Sequence, residues 1–126
     1  MANLFLDVLF HYRTRGCYHL HEFVLMPDHF HLLISLEPGM SVERAVQFLK
    51  GGFSFRAGKE LGLKGELWQR GFTDHFVKDS HDFQNHATYI RDNPVEGGLV
   101  ARAEEYPYSS ACHTFDLDAP PPHLRG

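Results

Sequence analysis

Residues 18–36 read YHLHEFVLMPDHFHLLISL, and this stretch decides the fold. It contains two runs rich in aromatic, branched and apolar residues, residues 18–26 and residues 29–36, which is the composition typical of β-strands. Pro27 and Asp28 separate the two runs, and such a pair favours a tight turn. The stretch therefore predicts an antiparallel β-hairpin.

Helical patterns flank the hairpin on both sides. Before it, residues 3–13 place apolar side chains three and four positions apart, and Gly16 is expected to end this first helix. After it, Ser41 is expected to cap a second helix that ends at Gly62 or Gly65.

A third strand and a third helix are predicted in the remaining part of the chain. Residues 66–77 have the composition of a strand. The helix begins with Asp79 or Ser80 as its cap, and we expect it to end near Asn93 because Pro94 disfavours helical geometry in the residue before it.

The resulting order of elements is α, β, β, α, β, α. It predicts an α+β fold, a ferredoxin-like βαββαβα unit that lacks its first strand, with helices on one face of an antiparallel sheet. One domain is expected over residues 1–113, and the Pro-rich residues 114–126 are expected to form a disordered tail.

The composition is that of a globular domain. The chain has 126 residues, 43% of them apolar, which is enough for one core. No apolar run reaches the ~18 residues of a membrane span, and the N-terminus has no signal-peptide pattern. Cys17 and Cys112 lie far apart outside any CxxC pattern, as expected of reduced thiols. We expect a cytoplasmic protein with no membrane partner.

The charge balance does not by itself indicate a nucleic-acid binder. The chain has 12 Lys and Arg against 16 Asp and Glu, a net charge of −4 with histidine neutral. Nucleic-acid binders are usually basic because they neutralise phosphates. Residues 101–126 carry two of these basic and four of these acidic residues, so half of the excess lies there. A nucleic-acid function must therefore be argued from a specific site.

A pair of histidines opens the second predicted strand. Side chains alternate faces along a strand, so His29 and His31 project together, about 7 Å apart, while Phe30 points to the other face. Two imidazoles at this spacing can share one metal ion, although two ordinary polar residues on a sheet face give the same pattern. His19 and His21 have the same spacing near the start of the first strand, where we expect a structural or exposed role.

The third predicted helix carries a second set of polar residues. At about 100° per residue, Phe83, Ala87 and Ile90 form its core-facing stripe, and Tyr89 and Asn93 lie one turn apart beside that stripe. The spacing alone does not establish a catalytic role for either residue. Tyr89 also fits a packing tyrosine with a solvated hydroxyl, and Asn93 also fits an asparagine that ends a helix.

Four motifs occur in order along the chain: LMPDHFHLL at residues 25–33, WQRGF at residues 68–72, YIRDNPVEGGLV at residues 89–100 and YPYSS at residues 106–110. This set resembles the REP-associated tyrosine transposases, a branch of the single-tyrosine HUH transposases. The resemblance covers residues 3–112, almost the whole chain.

The resemblance implies a role for each polar residue of the two sets. His29 and His31 are implied as ligands of a divalent metal, Mg²⁺ or Mn²⁺. Tyr89 is implied as the nucleophile, which would form a 5′-phosphotyrosine with the DNA strand. Asn93 is implied as the third ligand through its amide oxygen, and His86 on the same helix face is the second candidate for that position.

The implied partner is single-stranded DNA folded as a hairpin, bound by a monomer or a homodimer. Candidate phosphate contacts, each of which taken alone is better explained as a solvated surface charge, are Arg13, Arg15, Lys50, Arg56, Lys59, Arg70, Lys78 and Arg91. The aromatic residues that could stack on bases, or pack in the core instead, are Trp68, Phe72 and Phe76.

The sequence thus predicts a metal-dependent transposase that cleaves and rejoins hairpin-forming single-stranded DNA. One alternative is a non-catalytic hairpin-binding protein with a degenerate site. Another is a phosphodiesterase that uses metal and water without a covalent step. The chain departs from the family in its low basic content and in the missing strand before the first helix.

Overall fold

The structure is a computed structural model that describes residues 2–27, 29–62, 77–112 and 115–124. Its helices and strands, in chain order, are α1 (Ala2–Thr14), β1 (His19–Leu25), β2 (Phe30–Ser35), α2 (Val42–Leu61) and α3 (Ser80–Glu96), followed by short 3-10 helices at Ala103–Glu105 and Pro122–Leu124. The described residues form two compact units, one containing α1 and α2 and the other containing the hairpin, α3 and the C-terminal residues.

The first unit is a pair of helices with an aromatic contact in its core. The rings of Phe5 and Phe53, both fully buried, meet edge to face with their centroids 5.6 Å apart. Gly52 lets the two helices approach, because a Cβ atom at this position would lie 2.7 Å from Cε2 of Tyr12. Ser41 caps α2 by accepting a hydrogen bond from the Arg44 amide, as predicted.

The second unit is built on the predicted hairpin. β1 and β2 form a two-stranded sheet, and the amide of Met26 donates to the carbonyl of His29 at 2.8 Å, which closes the turn between them. β1 is buried at every position after His19 rather than at alternate ones. Both of its faces are therefore covered, and its polar residues His21 and Glu22 are buried together with its apolar ones.

α3 packs its apolar stripe against the hairpin. The side chain of Asp79 caps the helix by accepting from the amide of Asp82 at 2.8 Å. The buried members of this core cluster are Val24, Met26, Leu33, Phe83, Ala87, Ile90, Tyr106 and Leu124. The predicted core-facing stripe is thus confirmed.

The predicted end of α3 near Asn93 is wrong, because the helix continues through Pro94 to Glu96. A proline near a helix end removes only one backbone donor from the ladder. The last turn is still closed by the amide of Gly97, which donates to the carbonyl of Asn93 at 2.8 Å. Pro94 is itself buried, so apolar packing offsets the lost hydrogen bond.

The full ferredoxin-like sheet is not seen in the described residues, which contain the two strands of the hairpin. The third strand, predicted over residues 66–77, lies outside the described residues except for Val77, which packs against the core cluster of the second unit. Within the described ranges, no helix is long and apolar enough to cross a membrane. Cys17 and Cys112 do not form a disulfide with each other.

The predicted disordered tail is wrong for residues 115–124, which pack onto β1. The amide of Asp118 donates to the carbonyl of Leu20 at 2.9 Å, and the amide of Leu20 donates to Oδ2 of Asp118 at 2.7 Å. The ring of Phe115 lies edge to face on Phe23, and Leu124 is buried. The proline-rich composition alone does not indicate these contacts, because they are made to residues about a hundred positions earlier in the chain.

The packed tail makes a testable difference to stability. Leu124→Ala should lower the free energy of unfolding by about 2–5 kcal/mol, because it empties a site in the core cluster. Urea denaturation followed by circular dichroism measures this change. His123→Ala is the matched control, since His123 is exposed and its loss should leave stability unchanged. Equal stability of the two variants would mean that the tail does not pack.

Candidate active site

The two histidines of the second strand lie side by side. His29 directly precedes β2 and His31 is the second residue of that strand. Because strand side chains alternate, both imidazoles project to one side. Their ring centroids are 4.9 Å apart and the ring planes are nearly perpendicular, at 85°. The spacing predicted from the sequence thus gives a true pair of neighbouring imidazoles.

Tyr89 of α3 completes this cluster. Its ring meets the imidazole of His31 edge to face, with centroids 5.4 Å apart and an interplanar angle of 82°. Ile90, the next residue along, faces the core, and this places Tyr89 at the flank of the apolar stripe. The side chain of Tyr89 is 59% exposed. The tyrosine therefore contacts His31 while most of its side chain stays exposed to solvent.

His31 has an unusual electrostatic environment. Its Nε2 atom is buried and has no hydrogen-bond partner among the described residues. Leaving such an atom unpaired costs about 1–3 kcal/mol. Burial lowers the pKa of His31 from its ordinary value, and the neighbouring His29 lowers it further. The neutral imidazole that this favours is the form that binds metal ions.

These features fit a divalent metal ion. Two neighbouring imidazoles and one buried nitrogen without a partner are suitable nitrogen donors. Asn93 lies one helical turn after Tyr89 on α3 and is half-buried. In the described part of the chain, no three His, Cys, Asp or Glu residues are grouped to hold a metal. The predicted set differs from such a group because its third donor is an amide.

His86, the second candidate for the third ligand, is engaged with another residue of its helix. Its Nε2 lies 3.4 Å from Oδ1 of Asp82, one turn earlier on α3. Asp82 also accepts from the backbone amide of Lys78 at 3.0 Å. The participation of Asn93 or His86 in metal binding stays a prediction.

The other histidine pair has structural contacts, as predicted. His19 is exposed, and its Nε2 lies 2.7 Å from the carboxylate of Glu37. His21 is buried, with Nε2 at 2.9 Å from Oγ of Ser35 and Nδ1 at 3.0 Å from the carbonyl of Asp118. Both nitrogens of His21 thus have partners, in contrast to Nε2 of His31.

The candidate phosphate contacts are distributed over both units. In the first unit, Arg56 on α2 pairs with Glu60 at 2.6 Å and approaches Asp7 at 3.9 Å. In the second unit, the guanidinium of Arg91 is held by Glu22. The members with known positions in the first unit are Arg13, Arg15, Lys50, Arg56 and Lys59, those in the second are Lys78 and Arg91, and Arg70 lies outside the described residues. DNA contact by any of them stays a prediction.

Two polar residues beside α3 were not identified from the sequence. Glu22 on β1 is a buried carboxylate that binds Arg91, and Oγ of Ser110 donates to it at 2.7 Å. Ser110 belongs to the YPYSS motif, but nothing in that motif indicates its partner. An acidic residue directly before the apolar residues 23–26 was the signal that could have revealed Glu22.

The family model described as Transposase IS200 like matches residues 2–93. This chain belongs to the IS200-like transposase family. A Haemophilus influenzae protein with the provisional name of REP-associated tyrosine transposase is 33% identical over 96 residues, which cover 68% of this chain and 54% of that protein. The REP-associated tyrosine transposase of Escherichia coli K12 is 28% identical over 94 residues, covering 74% and 54%. The resemblance of the four motifs is thereby confirmed.

A solved structure supports the fold assignment for this IS200-like chain. It is described as a REP-associated tyrosine transposase bound to a REP hairpin. The similarity has a TM-score of 0.73 at 22% identity and covers 98% of this chain and 74% of that one. The fold is therefore that of the transposase. The chain spans about half the length of the curated relatives it matches.

The lowered pKa of His31 predicts a pH dependence of folding. Between the folded-state pKa and the ordinary value, the unfolded chain binds more protons, so stability rises with pH through this window. The urea concentration at the midpoint of unfolding should therefore increase between about pH 5 and about pH 7.5 in metal-free buffer, and His31→Phe should reduce this gain. His81→Phe, at an exposed position of α3, should keep the wild-type gain. An undiminished gain in His31→Phe would contradict this account.

Proposed function

We propose that this chain cleaves and rejoins hairpin-forming single-stranded DNA, with Tyr89 as the nucleophile. The observation that carries the proposal is the contact between Tyr89 and His31, whose buried Nε2 has no partner among the described residues. Membership of the IS200-like transposase family supports the same chemistry. We further propose that the hairpin is part of the antiparallel sheet of a ferredoxin-like fold, which the similarity to the solved transposase supports.

His29, His31 and Asn93 are proposed to hold a divalent metal, Mg²⁺ or Mn²⁺. When bound, such an ion orients a phosphate oxygen and withdraws charge from phosphorus. The imidazoles favour Mn²⁺ more than an all-oxygen site would. Burial keeps His31 neutral, so that a ring nitrogen can act as a donor without first losing a proton.

The proposed reaction uses the exposed hydroxyl of Tyr89. Its oxygen attacks the phosphorus of a phosphodiester and loses its proton, and a new P–O bond to tyrosine forms. The bond from phosphorus to the 3′ oxygen breaks, and this leaving oxygen takes up a proton in exchange. The products are a 5′-phosphotyrosine and a strand that ends in a 3′-OH. Attack by another 3′-OH on the tyrosine ester reverses the step, so strands are rejoined without an external energy source.

The proposed substrate follows from the position of the tyrosine and from the relatives. Tyr89 is 59% exposed on one side of α3, which leaves room for a strand to reach its hydroxyl. The similar solved transposase is described as bound to a REP hairpin. With a net charge of −4, affinity must come from local contacts rather than from overall attraction.

The first experiment tests the nucleophile. The chain is incubated with a 5′-labelled or 3′-labelled hairpin oligonucleotide and Mn²⁺, and a denaturant-stable protein–DNA adduct is sought by electrophoresis. Tyr89→Phe should abolish the adduct because it removes the attacking oxygen. Tyr12→Phe is the matched control, since it removes a hydroxyl from a tyrosine of the first unit and should leave the adduct unchanged.

The outcomes separate the three functional classes. An adduct formed by Tyr89→Phe would rule out the proposed nucleophile. Hairpin binding with no cleavage by the wild type would favour the non-catalytic binder. Cleavage without an adduct, equal in wild type and Tyr89→Phe, would favour the phosphodiesterase that uses water.

A second experiment tests the metal site with a readout that needs no activity. Paramagnetic Mn²⁺ should broaden the NMR signals of the His31 and Tyr89 rings in the DNA-free protein. His29→Ala should weaken this broadening, because one of the two neighbouring imidazoles is lost. His19→Ala is the control, since His19 is paired with Glu37. If Mn²⁺ broadens no ring signal of His29, His31 or Tyr89, the assignment of the metal site is contradicted. In the separate adduct assay, a chelator should abolish the adduct.

A further inference from the structure

Arg91, two residues after Tyr89 on α3, is tied to a buried carboxylate of the sheet. Its Nε donates to Oε1 of Glu22 at 3.0 Å, and a terminal guanidinium nitrogen donates to Oε2. The side chain of Glu22 is 8% exposed, whereas that of Arg91 is 49% exposed. Two parallel hydrogen bonds of this kind fix the direction of the guanidinium as well as its distance.

Glu22 is itself held in place by the C-terminal segment. Oγ of Ser110 donates to Oε1 of Glu22 at 2.7 Å and accepts from the amide of Phe23 at 3.0 Å. The amide of Ser110 donates to the carbonyl of Phe23 at 2.9 Å. The carboxylate therefore accepts hydrogen bonds from both the helix and the C-terminal segment, so its position does not depend on Arg91 alone.

The helix geometry places Arg91 and Tyr89 on opposite flanks of the apolar stripe. Two residues span about 200° around a helix, with Ile90 pointing into the core between them. Tyr89 contacts His31 on β2, and Arg91 contacts Glu22 on β1. The two flanks of α3 therefore contact different strands of the hairpin.

Apolar packing alone leaves the rotation of α3 poorly defined. Burial of Phe83, Ala87 and Ile90 is non-directional, since it depends on the area removed from water. A charge-assisted pair with two hydrogen bonds has a defined direction. The hydrogen bonds that Arg91 donates to Glu22 also raise the pKa of Arg91, because they stabilise the charged guanidinium.

We propose that the Glu22–Arg91 pair is a positioning device that sets the rotation of α3 and so keeps Tyr89 against His31. Arg91 then acts within the protein rather than as a phosphate contact. The consequence for catalysis rests on the proposed function, because it concerns the rate at which the hydroxyl of Tyr89 attacks. The consequence for structure does not depend on that function.

The structural consequence is tested in the DNA-free protein by NMR. The variants are Glu22→Gln and Arg91→Gln, and Ser110→Ala serves as a milder variant if either fails to fold. Each variant should shift the imidazole proton signals of His31 and weaken the NOE contacts between His31 and the ring of Tyr89. Arg102→Gln is the matched control. It removes one positive charge, as Arg91→Gln does, but from an exposed pair with Glu104.

Unchanged His31 signals and NOE contacts in the folded variants would overturn the proposal. The catalytic consequence is measured separately, as the rate of adduct formation at saturating hairpin and as the Kd for the hairpin. Glu22→Gln and Arg91→Gln should slow the rate about tenfold or more and change Kd by less than about twofold. The double variant should be no slower than the slower single one, since both remove the same contact.

Arg91→Lys distinguishes positioning from phosphate binding. Lysine keeps the charge but cannot form the two parallel hydrogen bonds, so the positioning role predicts a rate as slow as that of Arg91→Gln. A phosphate contact predicts the opposite: Arg91→Lys close to wild type, with Arg91→Gln raising Kd and reducing its salt dependence. The latter result would overturn the proposal.

The two proposals fail in different ways. A wild-type chain that forms no adduct contradicts the proposed function, while the NMR comparison still decides whether Glu22 and Arg91 position Tyr89. An adduct that forms at the wild-type rate in Glu22→Gln, Arg91→Gln and Arg91→Lys upholds the function and refutes the positioning role.

Discussion

The packing of α3 on the β-hairpin is the contact on which the proposed site depends. Val24 and Leu33 of the hairpin are buried against Phe83, Ala87 and Ile90 of the helix. Burying each large apolar side chain contributes about 1.5–3 kcal/mol. Because Tyr89 is adjacent to this stripe and His31 is close to Leu33, the same apolar contact brings the tyrosine to the histidine pair.

The site combines a stable frame with an unsatisfied group. His21 has hydrogen-bond partners on both ring nitrogens, while Nε2 of His31 has none among the described residues. An unpaired buried nitrogen reduces stability, and residues of this kind are concentrated at functional sites. The frame around His31 compensates for this cost through the core cluster and through the C-terminal residues that cover β1.

Local signals in the sequence were sufficient for the hairpin and for the helix caps. Ser41 and Asp79 cap their helices as predicted, since a capping residue and its partner are three positions apart. Pro94 and the tail were mispredicted because tertiary contacts decide their state. Pro94 is buried in the last turn of α3, and Asp118 binds Leu20 across 98 positions.

The same limit applies to the site. The spacing of His29 and His31 predicted a shared face, but it also fitted two ordinary polar residues. Tyr89 by spacing alone was an ordinary flank residue, and its contact with His31 depends on how helix and sheet pack. The Glu22–Arg91 pair spans 69 positions, and no local pattern in the sequence indicates it.

The central claim is that Tyr89 itself becomes bonded to DNA, and mass spectrometry of the adduct tests it most directly. Trypsin releases residues 79–91 as one peptide, and Tyr89 is its single tyrosine. After digestion of the adduct and removal of most of the DNA, the account predicts a nucleotide joined to Tyr89 in this peptide. A nucleotide joined instead to residues 103–125, which contain Tyr106 and Tyr108, would contradict it.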